Sequence, residues 1–316
     1  MAFFDVPLGT KLRSLAEALP SARPEPAPPH ALRANTAAAP QSLQLPQLRE
    51  LDVQVDTTHA ALWCFMHPKG PPSFTPSLLR ELIALRHAIH DHASEIGLRY
   101  FVGASRLPGI YNLGGDLQHF VAMIRNQDRE SLRAYAVDCC DVAFHMTMGF
   151  NTPVLTIGLV QGDALGGGFE GAMSFNILVA ERSARLGLPE VLFNLFPGMG
   201  SMSFLSRKIG FGRAERMILS GKIYTAEELY DMGLVDVLAE DGEGEAEVRK
   251  FISGSEARYR MYKSLAQARQ RVAPLTFDEL CDITDIWVET AMHLGETDLR
   301  RMERLALAQR RRVERA

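Results

Sequence analysis

VQGDALGGGFEGAMSFNILVAERSARLGLPEVLFNLFPGMG, residues 160–200, holds the pattern on which the reading of the whole chain depends. The apolar run VLTIGLVQG, which begins at Val154, reads as a buried strand, and the triple glycine Gly166-Gly167-Gly168 follows it. A chain that leaves a strand through glycines and enters a helix presents free N–H groups. The missing Cβ atoms let a substrate carbonyl come close to that backbone. This is half of an oxyanion hole. Two acids stand nearby: Glu170, two residues past the glycines, and Glu190, directly after Pro189.

Upstream lies a matching feature. A strand predicted at Tyr100–Ala104 leads to Gly114-Gly115, with Asp116 placed to cap the helix that follows. Two glycine turns at strand-to-helix junctions can aim their N–H groups at one thioester oxygen, stabilising the enolate formed when an α-proton leaves. Glu170 and Glu190 then supply an acid and a base on either side of the α and β carbons. Taken singly, each glutamate is an ordinary surface or capping residue; together with both turns in this order, the catalytic reading is the stronger one. GGGFEG also matches G-x-G-x-x-G, but QGDAL separates the strand from the first glycine. The interval to Glu181 is too short for a dinucleotide-binding unit of about 30 residues. No G-x-S-x-G is present.

Elsewhere the chain divides by composition. Residues 1–46 are rich in proline and alanine and poor in large apolar residues, and read as a tail and linker with a short amphipathic helix at Leu8–Leu19. RELDVQVD and AALWCFMHP look like two paired strands, and Thr75-Pro76 opens a long helix carrying His87, His90 and His92, which suit a solvated face better than zinc. Helical periodicity covers 117–125 and 129–149, a short strand is expected at Ile177–Ala180, and PGMGSMSFLSRKIG reads as a glycine turn running into a helix. Downstream, GFGRAERMILSGKIYTAEELYDMGLVDVLAE reads helix, turn, helix, strand, with a capping box from Thr225 to Glu228. From about Glu245 the pattern is helical, ending in a helix with seven arginines from Arg300 to Arg315.

With 316 residues, 47% hydrophobic and 23% charged, the chain can bury a large core. A net charge of −4 gives no general attraction to nucleic acid or to an anionic membrane. Cys64, Cys139, Cys140 and Cys281 show no C-x-x-C or metal-ligand spacing, and no apolar run is long enough to span a bilayer. A reducing, cytoplasmic setting is expected.

NLGGDL, QGDALGGGFEGA and LGLPEVLFNLFPGMG resemble the crotonase (enoyl-CoA hydratase/isomerase) superfamily over roughly residues 48–316. The resemblance implies an α/β fold, a spiral of ββα units with a helical C-terminal region: a core at 47–240, then helices at 241–316 that cover the pocket and contribute to oligomers. It places the oxyanion-hole amides on Gly115 and Gly167 and the catalytic acids on Glu170 and Glu190, and makes Gly114 part of the substrate site. NLGGDLQHF, LVQGDALGGGFEGAMS, GLPEVLFNLFPGMGSMSF, GLVD and ITDIWVETAMHLGETDLRRMERLALAQRR are similar, more narrowly, to the bacterial diffusible signal factor synthases. That group dehydrates 3-hydroxyacyl chains on acyl carrier protein to cis-2-enoyl thioesters and hydrolyses them to free fatty acid signals. The likeness implies that Met199, Trp287 and Leu305 help line the acyl pocket. It further implies no cofactor, a substrate carried as a phosphopantetheine thioester on acyl carrier protein or coenzyme A, a trimer-based homo-oligomer, and a sensor kinase as a further partner. An enoyl-CoA hydratase of fatty-acid breakdown is the alternative; a non-catalytic binding protein is disfavoured because both acids are in place.

Overall fold

Alternation in LDVQVD and the apolar run ALWCFM produce a pair of antiparallel strands, β1 (Leu51–Asp56) and β2 (Ala61–Met66), with Leu51 opposite Met66. The chain is seen here in a computed structural model that describes residues 46–313. The tail assigned to residues 1–46, except Pro46, the helix considered at Leu8–Leu19 and the last arginine, Arg315, lie outside the described residues.

Among the described residues eight more strands follow: β3 (Tyr100–Ser105), β4 (Ile110–Asn112), β5 (Leu155–Val160), β6 (Asp163–Leu165), β7 (Ile177–Glu181), β8 (Arg185–Gly187), β9 (Ile223–Thr225) and β10 (Val237–Ala239). They form a six-stranded sheet in the order β1-β2-β3-β5-β7-β10 and a four-stranded sheet in the order β4-β6-β8-β9. Each unit of the spiral places a long strand in the first sheet and a short one in the second, then turns back through a helix. Thus β3 and β4 lead to the Leu117–Arg125 helix, and β5 and β6 lead to the Gly167–Met173 helix. In the unit before these, Phe74 stands where a second strand would, as a single parallel bridge to Gly115. This is the α/β spiral with a helical C-terminal region that the crotonase resemblance implies.

Strands inside the larger sheet run parallel, and every residue of β2, β3, β5 and β7 is buried, which is why they read as continuous apolar runs rather than as alternation. Helix starts follow their capping residues. Thr75 accepts from the Leu78 N–H at 3.2 Å with Pro76 in the first turn, and Asp116 accepts from the His119 N–H at 3.1 Å. Thr225 and Glu228 close their capping box at 3.1 and 2.9 Å. Each such cap is worth about 1 kcal/mol.

Three details differ from expectation. The helix read to residue 149 stops at Thr147, because Phe150 and Asn151 take positive φ and turn the chain toward β5. The strand read as running straight to the triple glycine breaks at Gln161-Gly162 and re-forms as β6. A short strand, β9, lies where only a turn was read, pairing antiparallel with β8. All of these second-sheet strands have three residues, too few for a period-2 pattern to show.

In the C-terminal region, the Phe277–Met292 helix meets the Arg129–Thr147 helix through Cys140 and Thr284, whose Sγ and Oγ1 lie 3.1 Å apart. The Glu296–Val313 helix meets the Leu117–Arg125 helix through Arg125, which donates to Glu296 and Glu303 at 2.7 and 2.6 Å. Its arginines are partly engaged within the chain: Arg312 pairs with Asp163 at 2.7 Å and Arg310 donates to Gln118 at 2.6 Å. No helix among the described residues is long and apolar enough to cross a membrane.

Candidate active site

Between β4 and the Leu117–Arg125 helix, the chain turns at Gly114 with φ of +100°, which side chains on L residues rarely permit. A Cβ there would stand 2.9 Å from the Leu165 carbonyl oxygen and 3.1 Å from the Gly167 nitrogen. The Gly114 carbonyl accepts from the Phe74 N–H at 2.8 Å, and the Gly114 N–H donates to Asn112 Oδ1 at 2.8 Å. Because a trans peptide points its C=O and N–H in opposite directions, anchoring the Gly114 carbonyl turns the Gly115 N–H away from Phe74. The next amide, Asp116 N–H, donates to the Tyr135 hydroxyl at 3.3 Å, and that hydroxyl donates to the Phe74 carbonyl. Tyr135 therefore ties both sides of the turn.

The second turn lies against the first. The Gly166 N–H donates to the Gly187 carbonyl at 2.8 Å, and Gly167 opens the Gly167–Met173 helix. A Cβ on Gly167 would sit 3.3 Å from the Gly115 nitrogen. Among the described residues, neither the Gly115 nor the Gly167 N–H has an acceptor. Both glycines line one cavity, so two free donors face the same small volume.

Glu170 lines that cavity too and is only 3% exposed. Its Oε1 accepts from the Met199 N–H at 2.9 Å and the Ser201 N–H at 3.0 Å, the latter the first residue of the Ser201–Ile209 helix. Burial raises its pKa above the usual carboxylate value, while these backbone N–H groups pull the other way by stabilising the charge. Glu190 sits in the 3-10 turn Pro189–Phe193, with Oε1 2.6 Å from where a Gly166 Cβ would stand. Its Oε2 is buried without a partner among the described residues. Burial, and then the charge of Glu170, push its pKa up to about 8. Near neutral pH, Glu190 therefore keeps a proton and Glu170 is the better place for a negative charge. Such a pair can pass one proton across a bound carbon chain, while the two free amides polarise a carbonyl.

The cavity continues away from the glycines as a narrow apolar channel. One wall is the helix face Gly167, Glu170, Gly171 and its C-cap Ser174, a second is Cys139, Val142, Ala143 and Met146, and Cys64, Met66, Leu79 and Leu82 line the cavity as well. Met199 lines it. Trp287 and Leu305 stand elsewhere: Trp287, 2% exposed, presses on Gly198, where a Cβ would meet its Cγ at 2.2 Å, and Leu305 packs at the edge of the core. Trp287 thus backs the segment whose N–H groups hold Glu170. Sequence reading missed Tyr135, Asn112 and Phe120, whose ring fills the space against Gly115. The i, i+3, i+4, i+7 spacing of Cys139, Val142, Ala143 and Met146 was the available signal for the second wall.

The family described as "Enoyl-CoA hydratase/isomerase" matches residues 63–276. The mitochondrial methylglutaconyl-CoA hydratase of Rattus norvegicus is 32% identical over 184 residues, which are 58% of this chain and 55% of that protein. The Homo sapiens enzyme of the same name is 33% identical over 178 residues, 56% of this chain and 50% of that protein. The chain thus spans about half the length of these curated relatives. Among solved structures, enoyl-CoA hydratase from Bacillus halodurans superposes with a TM-score of 0.69 at 18% identity, covering 81% of this chain and all of that one. Pseudomonas aeruginosa DspI superposes with a TM-score of 0.61 at 23% identity, covering 74% of this chain and 93% of its own. At these identities the likeness is one of fold.

Proposed function

Because the chain belongs to the enoyl-CoA hydratase/isomerase family, we propose that its site interconverts a 3-hydroxyacyl thioester and the corresponding 2-enoyl thioester by removing or adding one water. The observation that carries this reading is the pair of unengaged amides, Gly115 and Gly167, beside two buried carboxylates of unequal proton affinity. In dehydration, which starts from the form with the shared proton on Glu170, the thioester oxygen rests on the two N–H groups, and Glu190 takes the α-proton. The electron pair closes the Cα–Cβ double bond as the C–O bond breaks, and Glu170 gives its proton to the departing hydroxide, which leaves as water. The pair begins and ends with one proton, moved from Glu170 to Glu190. Hydration runs the same path backwards, and no cofactor takes part in either direction.

The finer reading is a diffusible signal factor synthase, which dehydrates a 3-hydroxyacyl chain on acyl carrier protein to the cis-2-enoyl thioester and hydrolyses it to free acid. Support comes from the resemblance around Glu170, Glu190 and the C-terminal segment, from the apolar channel beside Glu170, and from Arg304 and Arg311 on the last helix as a face for an acidic carrier. A trimer-based homo-oligomer, a core at 47–240, a helical region at 241–316 that helps close the pocket, and a tail at 1–46 open to a sensor kinase complete this reading. One feature favours the alternative, a coenzyme A-dependent hydratase: the two backbone donors on Glu170 support the charged form that activates water, while the raised pKa of Glu190 suits it to deliver a proton to the α carbon. Competition separates the two. If turnover of a 3-hydroxyacyl group on carrier protein withstands excess free coenzyme A and releases free acid, the synthase stands. If coenzyme A thioesters alone are turned over, with no acid released, the hydratase replaces it.

A further inference from the structure

The two helical walls of the channel run in the same direction. At the chemical end Tyr135, on one helix, holds the turn of Gly115, and Gly167 opens the other helix. At the far end the Thr147 hydroxyl donates to the Ser174 carbonyl at 2.9 Å. These walls offer the acyl tail one path away from the oxyanion turns, about 10 Å long at the helical rise. Phe175 stands at the end. It is buried, it stacks with Phe101 at 6.5 Å, and its ring occupies the space against two strand glycines, Gly103 and Gly158, where Cβ atoms would meet it at 2.5 and 2.8 Å. Beyond it opens a second, wider cavity of about 530 Å³, between the Ser201–Ile209 and Tyr259–Val272 helices, and Ser174 and Phe175 line both spaces.

We propose that Phe175 is the stop that sets acyl chain length, separating the substrate channel from a second cavity into which longer tails would extend if the ring were smaller. The proposal rests on the reading that the site takes an acyl thioester, and it assigns Phe175 to specificity, with no part in the chemistry. A tail gains affinity by about fourfold for each methylene it buries, so the gain should end where the chain meets the ring.

Calorimetric binding of saturated free fatty acids of increasing length tests this without relying on turnover. The wild-type protein should bind more tightly with each added carbon up to an optimum and more weakly beyond it. Phe175→Leu and Phe175→Ala should move the optimum to longer chains. Ala143→Leu, which narrows the channel nearer the glycines, should move it to shorter ones. Two variants at Phe175 guard against one that fails to fold, and circular dichroism reports on both. An optimum that stays in place in a folded Phe175 variant overturns the proposal, as does a wild-type protein with no optimum or no binding. Failure of the underlying reading shows separately, as fatty acid binding without turnover of any 3-hydroxyacyl thioester.

Discussion

At the scale of single residues, the site depends on an inequality between two carboxylates. Glu170 has two backbone N–H donors to hold its charge, whereas Glu190 has a buried, unpartnered oxygen and a charged neighbour. Glu170→Gln and Glu190→Gln should each lower kcat by about 100- to 10,000-fold, measured with a 3-hydroxyacyl thioester. Near-native turnover in either variant would remove that residue from the mechanism. The pair must hold one proton to work in either direction, so the rate should fall about tenfold per pH unit above about 8. The same shift affects stability. Folding raises the pKa of Glu190 from its ordinary 4.5 to about 8, so its contribution is fully present below pH 4.5 and is lost as the pH rises through 8. Glu190→Gln should therefore unfold at a higher temperature than wild type at pH 9, by the equivalent of a few kcal/mol, with the gap closing toward pH 4.5. Equal melting curves at pH 9 would mean that Glu190 is not held in a site that resists its charge. Both acids were named from the sequence because glycine and proline mark their surroundings and the resemblance falls on them. Their inequality was not, since it arises from Met199, Ser201 and Gly166, which only the fold brings near.

At the scale of elements, the Gly114-Gly115 turn is only as well placed as the helix behind it. Tyr135 belongs to the Arg129–Thr147 helix, yet its hydroxyl joins the Asp116 N–H to the Phe74 carbonyl, on either side of Gly115. Tyr135→Phe leaves those two backbone groups unpaired, at a cost of about 1–3 kcal/mol. If Tyr135 positions the Gly115 amide, kcat should fall by roughly tenfold or more while KM changes little, because the carbonyl is held most strongly in the transition state. A variant that loses only thermal stability would assign Tyr135 a purely structural part. Nothing in the local sequence singles out Tyr135, which occupies an ordinary buried position of an amphipathic helix. Likewise, β4, β6 and β8 were missed or blurred because three-residue strands carry no periodicity, although the turns they lead to were recognised from Gly114-Gly115 and Gly166-Gly167. Trp287 was expected, through resemblance, to line the acyl pocket; it packs instead behind Gly198, a place visible only when the Phe277–Met292 helix is docked.

At the scale of the whole molecule, the spiral brings together at one point turns and acids separated by tens of residues, and the same packing builds a channel that ends on Phe175. The fold class was readable through the resemblance that NLGGDL, QGDALGGGFEGA and LGLPEVLFNLFPGMG carry. The channel was not, because its stop is framed by Gly103 and Gly158 on two different strands. The central claim is that Gly115, Gly167, Glu170 and Glu190 form one site that moves a single water on an acyl thioester. The most direct measurement is mass spectrometry of the products formed from 3-hydroxydodecanoyl groups on acyl carrier protein and on coenzyme A, by wild type and by Glu170→Gln and Glu190→Gln, against cis and trans standards. The account predicts a 2-enoyl product from the wild-type protein on at least one carrier, and neither variant forming it at an appreciable rate. An unchanged substrate on both carriers, or the same product formed equally fast by the variants, would contradict it.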